Sequence, residues 1–334
     1  MRAFITGSGA FLPERIVPNE EIAHKLGLTP EQIFESSGIR RRRWAAPGTK
    51  ASTLACTALR CAIANANLLP EQMDFLLLGT MTPDRFIPGT APAVQKQLEI
   101  PPLPCLDIHA TCCNAIYGLQ LARSMVVAGT AKNVAVCFAD VQSAWLDISA
   151  EAGTTSMLFG DGGSAFIVSG HEHKGSLQVL DVLLRTDGTF VDDLGIRCPG
   201  TEFGNRLNEN YAQRADFLPR MNGQRVLMRA SRNMAAVCRT LLQQHELTAQ
   251  EIAWIVPHQA NFNVMRQLMR ALGLSRHMER LVSVIEDYGN TSSASMGIAL
   301  DALRRSGRVR RGDYVLMPAF GAGFTWGAAL CRAV

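Results

Sequence analysis

The chain has 334 residues, 47% hydrophobic and 19% charged, enough to bury a large core in one body or in two closely packed halves. A net charge of +4, mostly scattered, gives no argument for nucleic acid, and no apolar run approaches the ~20 residues of a membrane helix. Nine cysteines at irregular positions, with no CxxC pair, argue against both a disulfide framework and a zinc site.

The N-terminus, MRAFITGSGAFLPERIV, lacks a charged-then-apolar leader pattern, so a cytoplasmic location is expected; AFITGSGAFL reads as the first buried strand. PEQIFESSGI leads into Arg40, Arg41, Arg42 and Arg43, a run whose plain reading is a solvated face and whose functional reading is a landing patch for an acidic partner. Then come the helical pattern ASTLACTALRCAIANANLL, the strand FLLLGT and the strand PCLDIHA, which gives way at Cys112 and Cys113 to the small-residue helix AIYGLQLARSMVVAG. NVAVCFAD is a further strand, and FGDGGSAFIV (159–168) is a glycine-rich turn into another. His171 and His173 in HEHKG suit a polar turn better than a metal pair. The stretch from about 186 to 222, rich in Gly, Asn, Asp and Arg, reads as a long surface excursion of the sort that shapes an entrance. Val226, Leu227, Ala230, Met234, Val237 and Leu241 follow helical spacing ahead of the strand AWIVP and the helix NVMRQLMRAL. His258 emerges from that strand in PHQAN (257–261), and Asn290 stands before a helix in YGNTSSAS (288–295).

The strand–helix alternation predicts an α/β fold, and its two halves repeat. FGDGGSAFIV and FGAGFTWGAAL (320–330) correspond, each preceded by a turn, a small-residue helix and a strand. Matching the helix ends at Gly129 and Gly307 sets Cys112 opposite Asn290, so a pseudo-twofold packing would bring two polar helix starts together. The expected boundary lies near residue 170, giving halves 1–170 and 171–334.

A cysteine at a helix N-terminus has its thiolate stabilised by the amides and dipole there, which makes Cys112 a candidate nucleophile; the bland alternative is a small core thiol. A lone strand-end histidine such as His258 is more often structural than catalytic, and Asn290 alone could be a cap or turn former.

From ITGSGAFLPERIVPNEEI and SSGIRRRRWA through DIHATCCNAIYG, FGDGGSAFIV and PHQAN to YGNTSSAS and FGAGFTWGAAL, the chain resembles the β-ketoacyl-acyl-carrier-protein synthase III family of thiolase-like condensing enzymes. The resemblance implies a five-layered α-β-α-β-α fold, a homodimer, and a triad of Cys112, His258 and Asn290. Backbone N–H groups of Cys112 and Ala322 would form the oxyanion hole. Cys113 would face elsewhere, since successive residues at a helix start diverge by ~100°. The implied reaction loads an acyl group on Cys112 and condenses it with a malonyl-type thioester after loss of CO2, with no metal or organic cofactor. Implied partners are acyl and malonyl-type thioesters on acyl carrier protein or coenzyme A.

Several positions depart from the family pattern. Gln32 and Ser36 replace the tryptophan and arginine that clamp the adenine of coenzyme A, and Ala152 replaces a second arginine. The lost stacking and cation–π contacts are worth on the order of 1 kcal/mol each, so free coenzyme A thioesters are expected to be poor or differently held donors. Delivery by an acidic carrier protein would suit the basic run starting at Arg40 and helix faces bearing Arg225, Arg229, Arg266 and Arg270, although Asn263 replaces a carrier-contacting arginine. At the acyl pocket, Ile87, with Phe86 beside it, replaces a phenylalanine that closes the partner subunit's pocket, which implies a primer other than acetyl. His109 reads as a core histidine or a pocket tuner. The nearest rival passes the acyl group to a hydroxyl or amine. A non-catalytic partner subunit would more commonly lack the cysteine, and thiolase chemistry would need a second, basic cysteine that FGAGFTWGAAL does not contain.

Overall fold

A computed structural model describes residues 1–150, 155–203, 214–221 and 223–334. Among them, nine strands form one continuous mixed sheet: β1 (Phe4–Phe11), β2 (Phe75–Gly79), β3 (Cys105–Ile108), β4 (Asn133–Asp140), β5 (Gly162–Ser169), β6 (Leu177–Thr186), β7 (Ile252–Ile255), β8 (Tyr314–Gly321) and β9 (Thr325–Ala333). The order is β7-β8-β9-β6-β1-β5-β4-β2-β3. Only the pairs Phe4–Gln178 and Ile5–Leu177 join β1 to β6, so the sheet is two half-sheets linked at a narrow seam.

The halves share one topology. β2 runs parallel to β4, β4 antiparallel to β5 and β5 antiparallel to β1; β7, β8, β9 and β6 repeat those relations in the same sequence. A parallel bridge from Ile255 to Leu281 stands where β3 lies beside β2. The repeat seen in the glycine-rich turns is thus a repeat of strand pairing.

Period-two alternation builds the layers. Val134, Val136 and Phe138 of β4 join a core with Ile116, Leu119 and Ala122 of α2 (Asn114–Ala128), while Ala135, Cys137 and Ala139 pack with Leu54, Ala58 and Leu59 of α1 (Ala51–Asn65). In the other half, Val315 and Met317 of β8 share the first core with Leu300 of α5 (Ser295–Arg305). Leu316 and Phe320 instead meet Met234 of α3 (Gly223–Gln244) and Leu268 of α4 (Phe262–Ala271). Central helices α2 and α5 therefore lie between two sheet layers, with α1 outside one and α3 and α4 outside the other. This is the α-β-α-β-α arrangement.

The arginine run is not a uniform basic face. It forms the strand Arg41–Trp44, in which the side chains alternate, and Arg42 is wholly buried. Arg42 donates to the carbonyls of Val17 and Met157 and to Asn19 Oδ1, and burial lowers its pKa to about 10. Arg40 and Arg41 are exposed and paired with Glu286 and Asp287 at 2.5 and 2.8 Å. No helix among the described residues is long and apolar enough to cross a membrane.

Candidate active site

Cys112 sits in a single helical turn, Thr111–Cys113, between β3 and α2. Thr111 holds a left-handed φ of 53°, which turns the chain sharply before the helix begins. Gly321, at the end of β8, lies so close that a Cβ there would stand 2.3 Å from Thr111 Oγ1 and 3.0 Å from the Cys112 nitrogen. Only glycine lets the Gly321–Ala322 backbone approach the cysteine in this way.

Cys112, His258 and Asn290 line one cavity of about 280 Å³, together with Ala322 and, at its exposed mouth, Ser36. Cys113 lies outside it. Its buried thiol donates to the Thr325 carbonyl at 3.3 Å, as expected for two consecutive side chains diverging at a helix start.

Burial pushes the Cys112 thiol up to about 12, a rise opposed by the Ser292 hydroxyl 3.5 Å from Sγ and reinforced by the Asp140 carboxylate. The thiolate stabilisation anticipated from the helix start is therefore outweighed by desolvation, and the Cys112 side chain rests as a neutral thiol. His258 is 2% exposed, and desolvation lowers its pKa to about 3, so its ring is neutral too. Its backbone N–H donates to the Pro318 carbonyl, extending the ladder between β7 and β8, and its ring meets Phe320 edge-on at 5.7 Å.

The tautomer follows from Ser295. The hydroxyl oxygen of Ser295 accepts the Gln259 N–H at 3.2 Å and lies 2.6 Å from His258 Nδ1. Nδ1 is the acceptor within reach of the hydroxyl's one hydrogen among the described residues, so we assign that hydrogen to Nδ1 and the His258 proton to Nε2. Asn290 is oriented by the same logic. Its Oδ1 accepts the Ser292 N–H at 2.9 Å, so the Nδ2 donors remain for the cavity. The site thus combines a thiol with two neutral N–H donors.

A buried network ties these pieces together. Asp140, at the end of β4, accepts from the backbone nitrogens of Met81 at 2.6 Å and Ser293 at 2.8 Å. Ser293 Oγ then donates to the Thr111 carbonyl and accepts from Asn114 Nδ2. Sequence reasoning did not single out Asp140, Ser292, Ser293 or Ser295. The three serines lie inside YGNTSSAS, but their partners are far away in the chain.

The other expected residues divide. Asn263 and Asn261 each donate to the Ser36 carbonyl, at 3.0 and 2.9 Å, sewing the mouth shut on one side. Gln32 is exposed and forms a reciprocal cap with Thr29, and Arg40 stacks on Phe34 at 4.0 Å. Phe86 and Ile87 lie on the surface, 66% and 77% exposed, and do not line the cavity of this chain. His109 is exposed and outside the cavity, so neither reading of it holds in this chain. Ala152 lies outside the described residues. The described part of the long excursion contributes to the cavity wall through Leu194, Ile196, Pro219 and Met221, and the rest of it, 204–213 and 222, lies outside the described residues.

Two family profiles match the chain: 3-oxoacyl-[acyl-carrier-protein (ACP)] synthase III over residues 106–188 and its C-terminal counterpart over residues 242–333. The β-ketoacyl-[acyl-carrier-protein] synthase III of Rhodospirillum centenum is 38% identical over 334 residues, covering 99% of both chains. The chain belongs to the β-ketoacyl-acyl-carrier-protein synthase III family. The structure of 3-oxoacyl-[acyl-carrier-protein] synthase III from Aquifex aeolicus superposes with a TM-score of 0.88 at 34% identity, covering 99% of this chain and all of that one. The priming β-ketosynthase of the R1128 polyketide pathway matches at 0.87 and 29% identity, over 99% of this chain and 96% of that one. The cavity of this synthase III family member is the place to look for its chemistry.

Proposed function

We propose that this protein loads an acyl group on Cys112 and condenses it with a malonyl-type thioester to give a 3-oxoacyl thioester. The observation that carries the reading is the meeting of Cys112, His258 and Asn290 in one predominantly apolar cavity. The first residue belongs to residues 1–170 and the other two to residues 171–334, which we take as the two functional halves.

In the first step the sulfur attacks the donor's thioester carbon, and the oxyanion accepts backbone N–H bonds from Cys112 and Ala322. The tetrahedral intermediate collapses, the carrier thiol leaves with a proton, and the proton lost by Cys112 balances it. In the second step the extender carbonyl lies against His258 Nε2–H and Asn290 Nδ2–H. Loss of CO2 leaves an enolate held by those donors. Its carbon attacks the acyl-cysteine, the carbon–sulfur bond breaks, and the Cys112 thiolate takes up a proton. Neutral donors suit this step because they stabilise a developing oxyanion without neutralising the carboxylate that must leave.

We also propose a homodimer formed through the β3 edge. Leu106 on that edge strand is 45% exposed, and the loop bearing Phe86 and Ile87 is anchored to the same strand through Asp107, which accepts from the Thr90 and Ala91 nitrogens. An unpaired strand edge flanked by large apolar side chains is a natural pairing surface. Nine free cysteines suit a reducing, cytoplasmic setting.

The test is stoichiometric. With a loaded acyl group and a malonyl thioester, CO2 and 3-oxoacyl thioester should form in equal amounts. Acyl transfer to a hydroxyl or amine without CO2 would overturn the carbon–carbon reading.

A further inference from the structure

Gln142 begins a short helical turn, Gln142–Trp145, just beyond β4. It is 3% exposed and lines the cavity, yet its side-chain amide makes no hydrogen bond with any described residue. Buried amides are normally satisfied, so an unpartnered one facing a cavity marks a place for a polar atom of a ligand.

Its location says which ligand atom. The preceding residue, Val141, is held by Thr82 Oγ1, and Met81 is held by Asp140. Met81 Sδ accepts from Ser292 Oγ at 3.0 Å, and that oxygen lies 3.5 Å from Cys112 Sγ. Gln142 therefore follows directly on the β4 end whose neighbour Met81 reaches Cys112 through Ser292, and it lines the same cavity as Cys112. A group attached to Cys112 would share that stretch of cavity wall with the Gln142 amide. No charged side chain lines the described cavity wall, so a carboxylate or ammonium substituent would be buried unpaired. A hydroxyl, which donates and accepts, matches both ends of the amide.

We infer that Gln142 is a specificity-determining residue that selects a hydroxylated acyl group for transfer to Cys112. The inference rests on the acyl-enzyme reading above. A site built to hydrogen-bond a hydroxyl rejects the analogue lacking it, because its own polar group is then left unpaired.

The experiment compares kcat/KM for loading butanoyl and its 2-, 3- and 4-hydroxy derivatives, all on the same carrier, by intact-protein mass spectrometry of wild type and Gln142→Leu. Wild type should favour at least one hydroxylated donor by about tenfold or more. Gln142→Leu, checked for folding by its melting temperature, should bring that ratio to one or below. Two results overturn the inference: wild type loads butanoyl as fast as every hydroxylated donor, or Gln142→Leu slows all donors alike. If no donor adds mass to wild type, the acyl-enzyme reading itself fails, an outcome distinct from a lost preference.

Discussion

Desolvation forces both titrating groups of the cavity into their neutral forms, His258 by lowering its pKa to about 3 and Cys112 by raising its own to about 12. For His258 the folded value lies below the unfolded one, so its contribution to stability is present above about pH 6.5 and is lost as pH falls towards 3. Across roughly pH 5 to 8 the ring does not titrate, and kcat/KM for condensation should have no inflection owing to His258. An inflection near pH 6.5 that disappears in His258→Asn would contradict this. For Cys112 the sign is reversed: its contribution is present below about pH 9 and is lost as pH rises towards 12. Alkylation by iodoacetamide should accordingly climb with pH without levelling off near neutrality. Ser295→Ala removes the hydroxyl that fixes the Nε2–H tautomer, and we expect kcat to fall by roughly tenfold or more with little change in KM. Ser295→Thr should restore part of it, and the ring ¹⁵N shifts of His258 should report a mixed tautomer in the alanine variant alone. Unchanged shifts would refute the positioning role.

At the scale of elements, the cysteine turn and the end of β8 are fitted to each other. Gly321→Ala would drive a methyl group into Thr111 Oγ1 and the Cys112 backbone; we expect about 1–3 kcal/mol of destabilisation and loss of acyl loading. Loading at the wild-type rate by a stable variant would contradict the account. The elements themselves were legible because strand and helix periodicities are strong in a core of this size, and the glycine-rich turns revealed the repeat. The contacts between elements were less so. Arg42 looked like one of four surface cations, yet strand alternation turned it inward onto two carbonyls. His109, read as buried or pocket-facing, is exposed on the surface. Cys112, His258 and Asn290 were found through motifs, whereas Asp140 and Ser295 act through partners over thirty residues away, which no local pattern encodes.

Over the whole molecule, the two half-sheets enclose the central helices, and the turns preceding α2 and α5 meet where β4 and β8 end. This is why Cys112 from one half and His258 and Asn290 from the other share a cavity. The proposed dimer would use the outer edge at β3, where Leu106 is exposed. Leu106→Glu should shift the protein from dimer to monomer in sedimentation velocity; a wild-type profile would exclude that edge as the interface. Gln32 and Ser36 stand where the adenine clamp would be, and the Ser36 carbonyl at the mouth is taken up by Asn261 and Asn263, so loading from a carrier protein should exceed loading from the matching coenzyme A thioester. The central claim is that Cys112 carries the acyl group, and intact-protein mass spectrometry after incubation with acyl donors tests it most directly. Wild type and Cys113→Ala should gain one acyl mass and Cys112→Ala none; acylation of Cys112→Ala at the wild-type level would contradict the account.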